Sequence, residues 1–110
     1  MQLILIFIHN LMKLASECTS IQEIREAIDR LDEQIISLLG ERYTFVKEIV
    51  RFKEPTEEGI IAQHRFDSVI SSRRALAEEN GLDPALIEKI YRDLLTHFID
   101  EELKIIKKKK

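Results

Sequence analysis

A single apolar row governs what this chain can fold into. From Ile21, the residues Ile24, Ile28, Leu31, Ile35, Leu38, Arg42, Phe45, Ile49 and Phe52 follow at alternating steps of three and four. That spacing keeps one face of an α-helix apolar for more than four heptads. One place in the row is held by the guanidinium of Arg42, which is costly to bury unless something anionic meets it. Two readings of Arg42 stand side by side. It forms a structural ion pair with an Asp or Glu of a neighbouring helix, or the row opens there into a pocket for an anionic small molecule.

Composition narrows the class. The 110 residues suit one domain, large enough for a modest core and small enough to favour an oligomer. Charged residues make up 34% and the hydrophobic set 45%, with three glycines, two prolines and no tryptophan. This mixture predicts an all-α protein and argues against disorder or a β-sandwich. A net charge of −3 argues against a nucleic-acid partner, and the basic run Lys107 to Lys110 reads as a solvated helix end. The lone Cys18 supplies neither a disulfide framework nor a metal site and fits a reducing cytoplasm.

The opening stretch differs from the rest. Met1 to Met12 reads MQLILIFIHNLM, too short to span a bilayer, without a basic flank, and interrupted by His9 and Asn10. With Met12-Lys13 as a natural start, residues 1–16 read as an N-terminal extension outside the fold or a mis-assigned start, a weak export signal being the alternative. Residues 17–106 then form the domain and 107–110 a basic tail, with no membrane partner expected.

Three helices account for the domain. Ser20-Ile21-Gln22-Glu23 is a capping box at the start of the first, which Pro55 ends near Lys53. Glu54 to Ile61, with Pro55 and Gly59, reads as a loop. The second helix covers about Ala62 to Glu79, with Phe66, Val69, Ile70 and Leu76 inward and Asn80-Gly81 as its stop. Asp83 caps the third and Pro84 takes its first position. That helix buries Ile87, Ile90, Tyr91, Leu94, Leu95, Phe98 and Ile105 and runs to about Ile106. The aromatic stripe of Phe45, Phe52, Phe66 and Phe98 reads as core rather than as a cofactor site.

Familiar chemistries find no support. His9, His64 and His97 lack the helical spacing and the Cys partner of a metal site. There is no Ser–His–Asp context and no glycine-rich phosphate loop. What remains is a set of cations at Arg25, Arg42, Lys53 and Arg65. At about 1.5 Å per residue, Arg42 and Lys53 lie roughly 16 Å apart along one helix, within reach of a shared small ligand. Arg25 lies roughly 25 Å from Arg42 and roughly 42 Å from Lys53, so it can join only from a second, antiparallel copy. The long uncovered row asks for the same partner. A helical homodimer with two composite sites follows.

These residues carry a resemblance. The stretch from Glu17 to Lys53, ECTSIQEIREAIDRLDEQIISLLGERYTFVKEIVRFK, is similar to the first helix of the all-helical chorismate mutase family. The shared elements are Ile24-Arg25, Ile28-Asp29 and Asp32, followed by Arg42 and Lys53. The opening ECT, the IREAIDR run, the RFK at the helix end and the AEENGLD turn at Ala77 to Asp83 resemble the isochorismate pyruvate lyase branch of that family. The resemblance covers about residues 17–106.

It implies three helices per subunit, an intertwined homodimer, and a reaction that needs no cofactor and no covalent intermediate. Arg25 would arrive from the other subunit to hold one carboxylate of a small dicarboxylate, chorismate or isochorismate. Arg42 would hold the second, Lys53 the ether oxygen and a carboxylate, and Arg65 would close over the site. Arginine forks suit carboxylates, and a lysine point charge suits an oxyanion developing at the ether. One position departs from the family, whose usual glutamine on the last helix is here Glu102. An ionised carboxylate cannot donate to the ether oxygen, so Glu102 must carry a proton to act, which predicts activity favouring acid pH. The alternative is a structural ion pair between Glu102 and Arg65 or Lys53. Mutase chemistry on chorismate is the expected function. Lyase chemistry on isochorismate and a non-catalytic binding dimer are the alternatives.

Overall fold

The computed structural model describes residues 13–108, so the expectations for Met1–Met12 and for Lys109 and Lys110 lie outside it. Among the described residues every regular element is helical. A short 3-10 turn at Ala15–Glu17 precedes α1 (Ile21–Ile49), which tightens into a second 3-10 turn at Val50–Phe52. Then come α2 (Glu57–Ile61), α3 (Gln63–Glu79) and α4 (Pro84–Lys108). The chain divides into two units between Arg42 and Tyr43, within the course of α1.

In the first unit the start of α1 follows from its cap. The Glu23 amide donates to Ser20 Oγ at 3.1 Å. The returning half of the box is shifted by one residue: the Glu23 carboxylate accepts from the amide and hydroxyl of Thr19 at 3.2 and 3.1 Å. The same carboxylate takes the ammonium of Lys13 at 2.7 Å. Beyond the cap, the apolar row is laid out as its spacing requires, and it is open. Ile21, Ile24, Ile28, Leu31, Ile35 and Leu38 are all exposed, Ile35 to 54%.

The second unit has a core of its own. Ile60, Val69, Ile70 and Ala77 are buried, and α2 and α3 both pack on α4. Each helix end has an identifiable cause. At the end of α3, Leu82 N donates to Ala77 O at 2.8 Å and Gly81 N to Glu78 O at 3.2 Å, with Gly81 at φ +72°. That is a Schellman motif, and the positive φ is why glycine stands there. Asp83 accepts from Ala85 N at 3.0 Å and starts α4.

Three expectations need correction. Glu54 to Ile61 is not all loop: Thr56 Oγ1 accepts from Gly59 N at 3.0 Å and caps the five-residue helix α2. Leu76 is half exposed to solvent, and its neighbour Ala77 occupies the core place instead. Phe45 and Phe52 are exposed in the single chain, as are Ile90 and Ile105. Only Phe66 and Phe98 of the aromatic stripe are half-buried.

Candidate active site

The second unit builds one polar centre inside its packing. Lys53 follows the 3-10 turn at the end of α1, where its extended backbone (φ −90°, ψ 148°) takes the chain out of the helix. Its side chain is mostly covered, and its ammonium donates to Glu102 Oε2 at 3.0 Å and to the carbonyl oxygen of Ile60 at 2.6 Å. Glu102 is 4% exposed, the one buried charged residue among those described. A buried carboxylate is tolerated only with a partner, and Lys53 is that partner.

Helical spacing brings Glu102 inward. Tyr91, Leu94, Leu95 and Phe98 precede it on the same stripe of α4, all half-buried. One turn before Glu102, the Phe98 ring stacks on Tyr43 of α1 with centroids 4.7 Å apart and planes at 26°. Lys47, one turn after Tyr43, lies over that ring at 4.7 Å. The end of α1 is thereby fixed to α4 by an aromatic contact next to the Lys53–Glu102 pair.

The other sequence-derived site residues are placed as follows. Arg65, near the start of α3, is exposed and is not part of the pair. Arg25 is exposed and Arg42 half-buried, both in the unit that ends at Arg42. Sequence reasoning named Lys53 and Glu102 but missed the carbonyl of Ile60. A signal for it exists, because Thr56-Glu57-Glu58 is an N-cap followed by an acidic first turn.

An ammonium has three N–H donors, and two of those on Lys53 are engaged. The third is left for a further acceptor. Glu102 meets the ammonium through Oε2 alone among the contacts of the pair. The centre therefore offers one hydrogen-bond donor beside a covered ion pair.

Comparison with known proteins decides the family. A family model described as chorismate mutase type II matches residues 24–103. The chain belongs to that family. The matched stretch of this chorismate mutase type II domain contains Arg25, Arg42, Lys53 and Glu102.

An isochorismate pyruvate lyase of Pseudomonas aeruginosa is 40% identical over 93 residues, which are 84% of this chain and 91% of that protein. A chorismate mutase of Methanocaldococcus jannaschii is 29% identical over 75 residues, 68% of this chain and 76% of that one. A T-protein of Enterobacter agglomerans is 33% identical over 72 residues, yet the chain spans only 19% of its length. The all-α fold and the family resemblance expected from the sequence are borne out. No helix among the described residues is long and apolar enough to cross a membrane.

Proposed function

We propose that this chorismate mutase type II chain is a cofactor-independent chorismate mutase, which rearranges chorismate to prephenate as a cytoplasmic homodimer. The observation that carries the reading is the covered Lys53 ammonium, 3.0 Å from the buried Glu102. In the rearrangement the enolpyruvyl ether C–O bond breaks as a C–C bond forms, with no atom gained or lost. Charge builds on the ether oxygen, and the remaining N–H of Lys53 is the donor assigned to it. Arg42 takes one carboxylate and Arg25 of the partner subunit the other, and together they hold the compact conformer that reacts. Arg65 closes over the bound substrate.

Glu102 gives the reaction its pH dependence. Ionised, it occupies one donor of Lys53 and presents negative charge to the ether oxygen. Protonated, it becomes a second donor to that oxygen and loosens its hold on the ammonium. Both effects make the acid form the active one. The dimer is supported by the exposed row of α1, since six large aliphatic side chains in line are an interface rather than a surface.

A second reading is favoured by the 40% identity to the isochorismate pyruvate lyase over 91% of its length. The same cations would hold isochorismate, whose ether cleaves to salicylate and pyruvate. A parallel product assay with both substrates across about pH 5–8 decides. Faster prephenate formation establishes the mutase, and faster salicylate and pyruvate formation establishes the lyase. No turnover of either leaves a binding dimer and ends both readings.

A further inference from the structure

We propose that the Thr56–Ala62 turn positions Lys53, by aiming the main-chain carbonyl of Ile60 at its ammonium; the inference rests on the reading of Lys53 as the substrate cation.

The segment is short but closely determined. Pro55 keeps Glu54 out of helical geometry, and Thr56 then caps α2 through Gly59 N at 3.0 Å. Inside α2, Ile60 N donates to Thr56 O at 3.0 Å, and Ala62 N closes the turn on Glu58 O at 3.0 Å. Ala62 sits at φ 47°, ψ 64°, the left-handed region, and this reversal ends α2 and lets α3 begin at the next residue. The Ile60 side chain is fully buried, which anchors the turn in the core.

Gly59 is the tightest point. A Cβ there would lie 2.5 Å from the carbonyl oxygen of Glu54 and 2.7 Å from its Cβ. The chain on either side of the turn is therefore in contact through a residue that has no side chain.

A helix of this length leaves its last carbonyls without partners inside the helix. That of Ile60 is met at 2.6 Å by Lys53, seven residues earlier in the chain. The contact joins a neutral acceptor to a charged donor and has no freedom to follow the ammonium, because main-chain geometry fixes the carbonyl. Glu102 is different, being a side chain that changes its bonding with protonation. When Glu102 lets go, the Ile60 carbonyl is the acceptor that still sets the direction of Nζ. Thr56 and Gly59 thus act on the reaction through Lys53, without touching substrate.

Two measurements on the full chain test this. The 1H–15N signal of the Lys53 ammonium, assigned by its absence in Lys53→Met, is expected to be visible because two hydrogen bonds slow its proton exchange. Thr56→Ala should shift or abolish it, and Thr56→Ser, which keeps the hydroxyl, should restore it. In turnover of chorismate, or of isochorismate where that is faster, Thr56→Ala should lower kcat/KM by roughly fivefold to tenfold, the scale of a lost cap. Adding Thr56→Ala to Lys53→Met should lower it no further. An unchanged ammonium signal in Thr56→Ala, or additive losses in the double variant, would overturn the proposal. Should Lys53→Met leave turnover intact, the catalytic reading of Lys53 fails, while the ammonium signal still decides whether the turn holds it.

Discussion

The two units of the chain treat apolar surface in opposite ways. The second buries Ile60, Val69, Ile70 and Ala77 against its own helices and encloses a charged pair as well. The first presents an unbroken row from Ile21 to Leu38 and buries none of it. Both patterns are written with the same residue types at the same helical steps. The difference is the supply of partners within each unit: α2 and α3 pack on α4, whereas the first unit has, among the described residues, no second α-helix of its own to lay on the row of α1. Under the proposed dimer, the region that leaves its apolar face open encodes assembly, and the one that closes it encodes the fold of the subunit.

The comparison breaks most visibly at Ile35, 54% exposed in the middle of the row. Ile35→Glu should split the dimer, so that sedimentation equilibrium gives the mass of one 12.9 kDa chain. Turnover should fall roughly hundredfold, because Arg25 of the partner subunit is lost with the interface. A variant that keeps both dimer mass and turnover would show that the row is covered in some other way.

Ile70→Ala probes the closed region. Removing most of a buried isoleucine should lower stability by about 2–4 kcal/mol while leaving the dimer mass unchanged. Urea unfolding monitored by circular dichroism supplies the first value and sedimentation the second. Dissociation of this variant into single chains would mean that the two regions do not divide the work as described.

Much of this contrast was legible in the residues. The steps of three and four drew α1, Asp83-Pro84 opened α4, and Asn80-Gly81 closed α3. The five residues of α2 escaped, since a helix of little more than one turn shows no period. Burial was read less well than helicity. Leu76 and Phe52 look like core by hydropathy, yet what covers a helix face depends on the neighbours that folding supplies. The candidate site divides similarly. Glu102 could be placed inward from its stripe, and pairing with Arg65 or Lys53 was the stated alternative to a protonated donor. The choice of Lys53 was not legible, because 49 residues separate the partners and only the course of the chain brings them together.

That pair is the next target. If the acid form of Glu102 is the active one, turnover should rise as the pH is lowered from 8 to 5. Glu102→Gln keeps the shape, always donates and never titrates, so its profile should be flat to within about threefold over the same range. A Glu102→Gln protein that retains the full slope would assign the proton to another group and leave Glu102 as a structural partner of Lys53.

The smallest effect is expected in the open unit, at the cap of α1. The Lys13 hydrogen bond, reinforced by the amide and hydroxyl of Thr19, holds the Glu23 carboxyl down at about 2, against an ordinary value of 4.5. A depressed carboxyl contributes to folding above its unfolded value, and that contribution disappears as pH falls through the folded one. The cap of α1 should therefore be complete above about pH 4.5 and lost on acidification toward 2. Because the group is exposed, solvent keeps the effect local, and the core of the second unit should not register it. The Thr19 amide resonance should report the step in the parent protein and remain featureless in Glu23→Gln. A Glu23 that titrates at 4.5 instead would show α1 beginning without this cap.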